Sequence, residues 1–506
     1  MKKVVFLKNA LILTATSLFL RLAGVVMKVW LANKIGGEGL GLYQLVFSFY
    51  LLAATFATSG ISTAVTRLVA DELCLGTQNG IKKIMAAAFG VTVLIAALSN
   101  ASVFLFAETI AKVVIHDVRA AASLKILSFS LLFMGVSSCI KGYFIARRKT
   151  LPPSSAQIIE QAARIVSVML LVGKFAPRGI EYACYAVFLS DFIAETVSCF
   201  YLFLLYRKDG FYISRLCGRE RPDYSIGKQI WHIAAPISVG RYVNSGLRTV
   251  ENTLVPAKLM LSGMENAAAL EAFGRIKGMV LPLLFFPSSL LGAFATLLIP
   301  EVSEARARGR TAALSKMTER ILTLTLTVGI VFGFIFFTAG DQIGELIYKD
   351  PEVGRLIVRL APIVPLMYLD SIADGILKGI DKQKATFRAS VSDSAIRILL
   401  ITLVLPKYGL DGFILIMYAS NLYTCALNVI TLLRATNTKI PFLSKIALPC
   451  LCAAAVTLSL NRVLRYFSLP NILFTVIFVG GSVFAYAALL IITKSISVGE
   501  IRETIT

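Results

Sequence analysis

Arg241 and Arg248 stand seven residues apart in a stretch of the 506-residue chain that is otherwise apolar enough to cross a bilayer. With Asn244, Ser245 and Asn252 they recur at spacings of three, four and seven, which places them on one helical stripe. Glu251 follows Arg248 by three, so part of the charge can be neutralised within the helix. Pro236 and Pro256 predict a kinked helix whose freed carbonyls could line a cavity. Arg21 and Lys28 are also seven apart, with Thr14 on the same stripe. An ionisable side chain near the bilayer centre costs about 2.5–3.5 kcal/mol even on the lenient insertion scale, so each must pair, snorkel or face water. A hydrated cavity lined by these cations would attract an anion. The alternative for 235–258 is a buried structural network. For the first span it is snorkelling, which suits Lys28 near a span end better than Arg21.

A second set of charges pairs acids with arginines. Glu160/Arg164 and Asp393/Arg397 each place an acid four residues before its arginine, the geometry of a self-neutralising helix pair, as structural ion pairs or as part of a transport path. Asp191/Glu195 and Asp370/Asp374 are same-sign pairs at the same spacing, with Lys378 one turn beyond Asp374. Like charges there need a cation, a proton or a neighbouring arginine, so these four are the candidates for ion coupling. Glu271, Arg275 and Lys277 read as interfacial.

No catalytic constellation is recognised: there is no GxSxG, no glycine-rich phosphate loop followed by lysine, and no His/acid cluster of metalloprotease spacing. The segment from Gly36 to Gly41 reads as a tight turn between two apolar helices. Eight cysteines without a CxxC, and only two histidines, read as packing residues and not as a metal site. The expectation is therefore a protein that is not an enzyme, without cofactor or metal, drawing energy from a Na⁺ or H⁺ gradient, the membrane potential or the substrate's own gradient.

The elements that must position these residues follow from composition. Hydrophobic residues make up 57% and charged residues 16% of the chain, which excludes a soluble globule, a disordered tail and a secreted disulfide scaffold. An all-α integral membrane protein remains. With about 20 residues per span, fourteen candidates appear at 10–32, 41–69, 84–107, 121–146, 156–173, 180–206, 229–262, 268–300, 314–339, 354–379, 386–405, 410–434, 443–461 and 470–493. The net charge of +22 is read first as a topology signal and not as a nucleic-acid footprint. Placing Lys2, Lys3 and Lys8 inside leaves the clusters Arg147–Lys149, Arg207–Lys228, Arg306–Arg310 and Lys378–Lys384 inside as well, while Asp341, Glu345, Asp350 and Glu352 fall outside. Both termini are then cytoplasmic, and the N-terminus is a retained first span rather than a cleaved signal.

The halves repeat. An offset of 233 residues brings Glu160 onto Asp393, Arg164 onto Arg397, and Lys141-Gly142 onto Asp374-Gly375. Six spans recur in parallel and two are appended. The predicted organisation is an N-lobe at 1–206, a basic connection at 207–228, a C-lobe at 229–434, and spans 13 and 14 with a tail at 435–506.

Leu7-Lys8-Asn9-Ala10, Arg21-Leu22-Ala23-Gly24, Gly37-Glu38-Gly39-Leu40-Gly41-Leu42-Tyr43, Lys141-Gly142-Tyr143-Phe144, Ile159-Glu160-Gln161-Ala162-Ala163-Arg164 and Gly179-Ile180-Glu181-Tyr182-Ala183 resemble the stage V sporulation protein B group. That group lies in the polysaccharide-transporter branch of the multidrug/oligosaccharidyl-lipid/polysaccharide exporter superfamily, to which the lipid II flippases are related. The resemblance covers essentially the whole chain. It implies two six-helix lobes around a central cavity, two C-terminal helices, alternating access, and an undecaprenyl-diphosphate-linked saccharide flipped from the inner to the outer leaflet of the bacterial cytoplasmic membrane. It also implies cell-wall or spore-cortex synthesis, with wall glycosyltransferases as partners. Arg21 matches the arginine of the flippases' first-span pattern, and where that pattern continues Arg-Asp this chain has Met27-Lys28. Residue chemistry and resemblance together make Arg21, Lys28, Arg241, Asn244, Arg248 and Glu251 the candidate substrate site, with the arginines on two facing first-of-lobe helices. The main alternative is a multidrug extrusion transporter of the same superfold, moving organic cations against Na⁺ or H⁺ through an acidic cavity at Asp191, Glu195, Asp370 and Asp374. A membrane-embedded glycan transferase would need a longer outer loop than the chain offers, and a non-transporting scaffold is the remaining rival.

Overall fold

Fourteen apolar runs demand internally hydrogen-bonded backbone, and every regular element among the described residues is a helix. The structure is a computed structural model that describes residues 2–58, 60–75, 78–213, 226–438, 441, 443–467 and 469–493. Arg215, Cys217, Arg219 and Arg221 of the basic connection, Lys439, and the tail beyond 493 lie outside them, as does the side chain of Thr14.

The first part of the chain forms α1 (Lys2–Thr58), α2 (Ile61–Leu75), α3 (Gln78–Thr109, continued by a π-helical turn Ile110–Ile115), α4 (Ala120–Ala146), α5 (Leu151–Phe175), α6 (Ile180–Ile213), α7 (Ile226–Leu261) and α8 (Asn266–Gly274). A π-helical stretch Arg275–Val280 leads into α9 (Leu281–Ala307), followed by α10 (Thr311–Tyr348), α11 (Pro351–Leu360), α12 (Val364–Gly379), α13 (Gln383–Thr436), α14 (Leu448–Tyr466) and α15 (Asn471–Ile492).

Every expected span falls on helix, but the spans are divided differently. Spans 1 and 2 join in α1 through a single non-helical residue, Gly36 (φ 71°), and the helix resumes at once, so the predicted tight turn over 36–41 is a kink. The glycines beyond it serve packing. A Cβ on Gly41 would lie 2.0 Å from the Leu270 carbonyl oxygen, and one on Gly274 2.0 Å from that of Gly37, so α1 and α8 meet backbone to backbone. The second expected span breaks again at Gly60 (φ 75°), where a Cβ would lie 2.5 Å from the Ala234 carbonyl of α7. Spans 11 and 12 likewise join in α13 across Gly409 (φ 51°).

Nine described helical stretches are long and apolar enough to cross a membrane, and two of them, Thr16–Cys74 and Gln383–Thr436, each hold two expected spans. Expected spans 156–173, 229–262 and 268–300 are not among the nine, and all three carry charges discussed above. Span 268–300 is interrupted by the π-helical stretch at 275–280. The chain is thus an all-helical, multi-pass membrane protein.

The chain forms two compact units, 1–274 and 275–506. This division falls one span later than the repeat boundary at 207–228, because α7 packs on α1 and α2, and α8 on α1. Within the first unit α5 pairs with α6, and α4 packs against α2, α3 and α6. One of its cores gathers Ile61, Val65, Met85, Ile140, Phe144, Leu202 and Ile230. In the second unit α10 is the central post, contacted by α9, α11, α12, α14 and α15. Gly344 and Gly354 allow α10 and α11 to touch there, each standing where a Cβ would fall within 3 Å of the other helix's backbone.

Candidate functional site: an arginine window on α7

Side chains on α7 divide by angle. At about 100° per residue, Val239, Val243 and Val250 fall roughly 160–200° away from Arg241, and all three are exposed, the signature of a lipid-facing side. Ile230, Ala234, Val255 and Leu259 lie within about 40° of Arg241 and are buried. Between these two buried pairs, on the same stripe, Arg241 and Arg248 are exposed. The result is a cationic window at mid-helix, opposite the lipid-facing valines and closed along α7 at both ends. Among the described residues no hydrogen bond or ion pair engages either guanidinium.

The neighbours of the window are fixed by hydrogen bonds to α1. Thr249 Oγ1 donates to the Ser48 carbonyl (3.1 Å), Asn252 Nδ2 to Ser48 Oγ (3.1 Å), and Thr55 Oγ1 to Ser245 Oγ (3.3 Å). Phe56 and Tyr242 stack with ring centroids 4.3 Å apart. Asn244 is half-buried and Glu251 is buried, and both are engaged by other groups. These contacts all fall on the part of α1 beyond the Gly36 kink. Arg21, exposed, and Lys28, half-buried, lie before the kink, and no hydrogen bond or ion pair links them to Arg241 or Arg248. The geometry thus brings Arg241, Asn244, Arg248 and Glu251 together along α7, and leaves Arg21 and Lys28 on a separate stretch.

The paired charges occupy other places. Arg164 Nη2 lies 2.9 Å from Glu160 Oε1, its Nε donates to Asp191 Oδ1 (2.7 Å), and its Nη1 to Gln161 Oε1 (3.0 Å). Lys141 Nζ stands 4.0 Å from Glu160 Oε2. In the second unit Arg397 pairs with Asp393, and Ser420 Oγ donates to Asp393 Oδ1 (2.6 Å) while accepting from Arg397 Nη2 (2.6 Å). Asp370 accepts from Asn428 Nδ2 (2.8 Å), and Asp374 pairs with Lys378 (2.5 Å). The repeat therefore extends to three-membered networks, an acid and an arginine on one helical stretch with a third group on the next.

Two clusters had no sequence signal beyond their charge. Asp209, near the end of α6, accepts from Tyr143 Oη (3.0 Å) and Lys149 Nζ (2.6 Å), and pairs with Arg147. Arg119, in the link before α4, binds Asp117 Oδ2 (2.6 Å) and Glu38 Oε1 (2.8 Å), tying that link to the kink in α1. Its hydrogen bonds to Asp117, and then to Glu38, hold the guanidinium pKa above the usual value against partial burial.

The site is thus a pair of exposed guanidiniums presented at mid-helix in an all-helical membrane fold. Residues 6–230 match the family model described as "Polysaccharide biosynthesis protein". The chain is similar to stage V sporulation protein B of Bacillus subtilis (strain 168), 26% identical over 443 residues covering 86% of this chain and 84% of the relative. Its fold is that of the lipid II flippase MurJ in its inward closed conformation, with a TM-score of 0.69 at 16% identity over 95% of this chain and 98% of the other. A multidrug resistance MATE family transporter of the MOP superfamily in its inward-facing conformation shares the fold at a TM-score of 0.61 and 12% identity, over 84% of this chain and 98% of the other. The chain is similar to stage V sporulation protein B and shares the fold of the MurJ and MATE transporters.

Proposed function

We propose that this protein is a flippase that moves a polyprenyl-diphosphate-linked saccharide, lipid II or a related wall-polymer unit, from the inner to the outer leaflet of a bacterial cytoplasmic membrane by alternating access. The observation that carries this reading is the α7 window. Arg241 and Arg248 sit two turns apart, about 10 Å along the axis, exposed on the side opposite the lipid-facing valines. A diphosphate offers several acceptor oxygens, and two guanidiniums can bind it from both ends while the polyprenyl chain stays in lipid. Asn244 and Asn252 on the same stripe offer amide groups of the kind that recognise sugar hydroxyls. The match to a polysaccharide biosynthesis family model and the sequence similarity to a lipid II flippase support the same substrate class. An organic-cation exporter fits the site less well, since an exposed arginine pair repels its cargo.

The test is transbilayer movement of fluorescent lipid II in proteoliposomes. Charge-assisted hydrogen bonds contribute about 1.5–3 kcal/mol each, so Arg241→Ala or Arg248→Ala should slow flipping roughly ten- to hundredfold at sub-saturating substrate, with normal membrane abundance. Wild-type rates in both variants would remove the arginines from the site, and uptake of an organic cation without lipid movement would favour the exporter.

A further inference from the structure

The first unit buries a second charged centre that anion binding at α7 does not use. Glu160 of α5 and Asp191 and Glu195 of α6 share two cations, Arg164 of α5 and Lys141 of α4. Arg164 is committed to Glu160, Asp191 and Gln161. Lys141 reaches Glu160 at 4.0 Å. Three carboxylates therefore meet two compensating charges, and the one left over is Glu195. It is 7% exposed, and its Oε2 has no hydrogen-bond partner. Asp191 Oδ2 and Gln161 Nε2, on either side of Arg164, are also buried without partners.

The groups acting on Glu195 from each neighbouring element are Lys141 of α4, Glu160 and Arg164 of α5, Tyr50 of α1, and Asp191 and Cys199 of α6 itself. An uncompensated buried carboxylate costs several kcal/mol, and a proton removes that cost. The equivalent region of the second unit has the same count, three carboxylates to two cations, but its left-over member, Asp370, accepts a hydrogen bond from Asn428, while Asp374 pairs with Lys378 and Asp393 is shared by Arg397 and Ser420. A metal cation is the poorer occupant. Arg164 and Lys141 already supply positive charge there, and no group of three or more His, Cys, Asp or Glu among the described residues could hold a metal ion.

We propose that Glu195 is a proton-exchange site: its carboxylate takes a proton from water on one side of the membrane, holds it while α4, α5 and α6 enclose it, and gives it to water on the other side when their packing opens. One proton is thereby exchanged per transport cycle, linking substrate movement to the proton gradient. The coupling rests on the lipid-linked saccharide reading above, whereas the proton site does not.

Two measurements separate them. Infrared difference spectroscopy of the full-length protein in nanodiscs, between alkaline and acidic buffer, should show a carboxylic-acid C=O band that is absent from Glu195→Gln and shifted in Glu195→Asp. Wild-type protein with no such band, or an unchanged band in Glu195→Gln, overturns the proposal. Flipping of fluorescent lipid II is then followed with the membrane potential clamped and a pH difference imposed. Each unit is worth about 1.36 kcal/mol per proton, so the wild-type transbilayer distribution should shift by up to about tenfold per unit, and Glu195→Gln should lose this response. A response that survives in Glu195→Gln overturns the coupling. If the wild type moves no lipid II at any gradient, the substrate reading falls while the infrared band still decides the proton site.

Discussion

Arg164 holds three acceptors at once because guanidinium is planar and forked: Nε reaches Asp191, Nη1 Gln161 and Nη2 Glu160. A lysine at this place has one charged nitrogen and cannot span that set. Arg164→Met leaves two buried carboxylates without their main counter-charge, and breaking a buried pair from one side costs about 3–5 kcal/mol. Its thermal unfolding in detergent should fall well below wild type, with Arg164→Lys between the two. Equal melting of Arg164→Met and wild type would show that Glu160 and Asp191 are hydrated and not held by this arginine. Half of this network is legible in the chain, since an acid four residues before an arginine is a local pattern. The third members are not. Asp191 arrives 27 residues after Arg164 and Ser420 23 after Arg397, on the next helical stretch, where spacing says nothing about which side chains meet. The same limit hid Asp209, whose three partners lie some sixty residues earlier.

The kink of α1 shows what glycine does inside a helix. Gly36 needs its positive φ, whereas Gly41 is helical and needs only the absence of a Cβ, because the Leu270 carbonyl of α8 occupies that volume. Sequence composition marks both as punctuation, which is why residues 36–41 read as a turn. The close approach of α8 comes from a segment more than two hundred residues away and leaves no local trace. Gly41→Ala and Gly274→Ala must each push two backbones apart, while Gly90→Ala in α3 adds a methyl where nothing lies within 4 Å. Overpacking costs about 1–3 kcal/mol, and relief of glycine's backbone entropy in mid-helix returns about 0.5–1 kcal/mol. The first two variants should therefore melt earlier than wild type and Gly90→Ala no earlier. Unchanged melting of Gly41→Ala would show that α1 and α8 are looser than this contact implies.

For the molecule as a whole, the sequence repeat and the compact units cut the chain at different places, and the difference can be tested. The repeat expected from the sequence ends in the basic connection at 207–228, yet the first unit extends to Gly274. Periodicity records how the two halves are related, while contacts decide which helices pack together, and α7 packs with α1 and α2. The joins are specific: Ser48 receives bonds from Thr249 and Asn252, Thr55 bonds Ser245, Phe56 stacks on Tyr242, and Gly60 fits against the Ala234 backbone. None of them requires the connection between α6 and α7 to be intact. Fragments 1–213 and 226–506, co-expressed with a tag on one only, should therefore be recovered together from the membrane. Gly60→Val places a branched side chain where even a Cβ would stand 2.5 Å from the Ala234 carbonyl, and it should reduce recovery of the untagged fragment severalfold. Separate recovery of two stable fragments would mean that α7 is held by the continuity of the chain and not by its fit to α1 and α2. The arginine window would then lack the rigid support from α1 that the proposed diphosphate site requires.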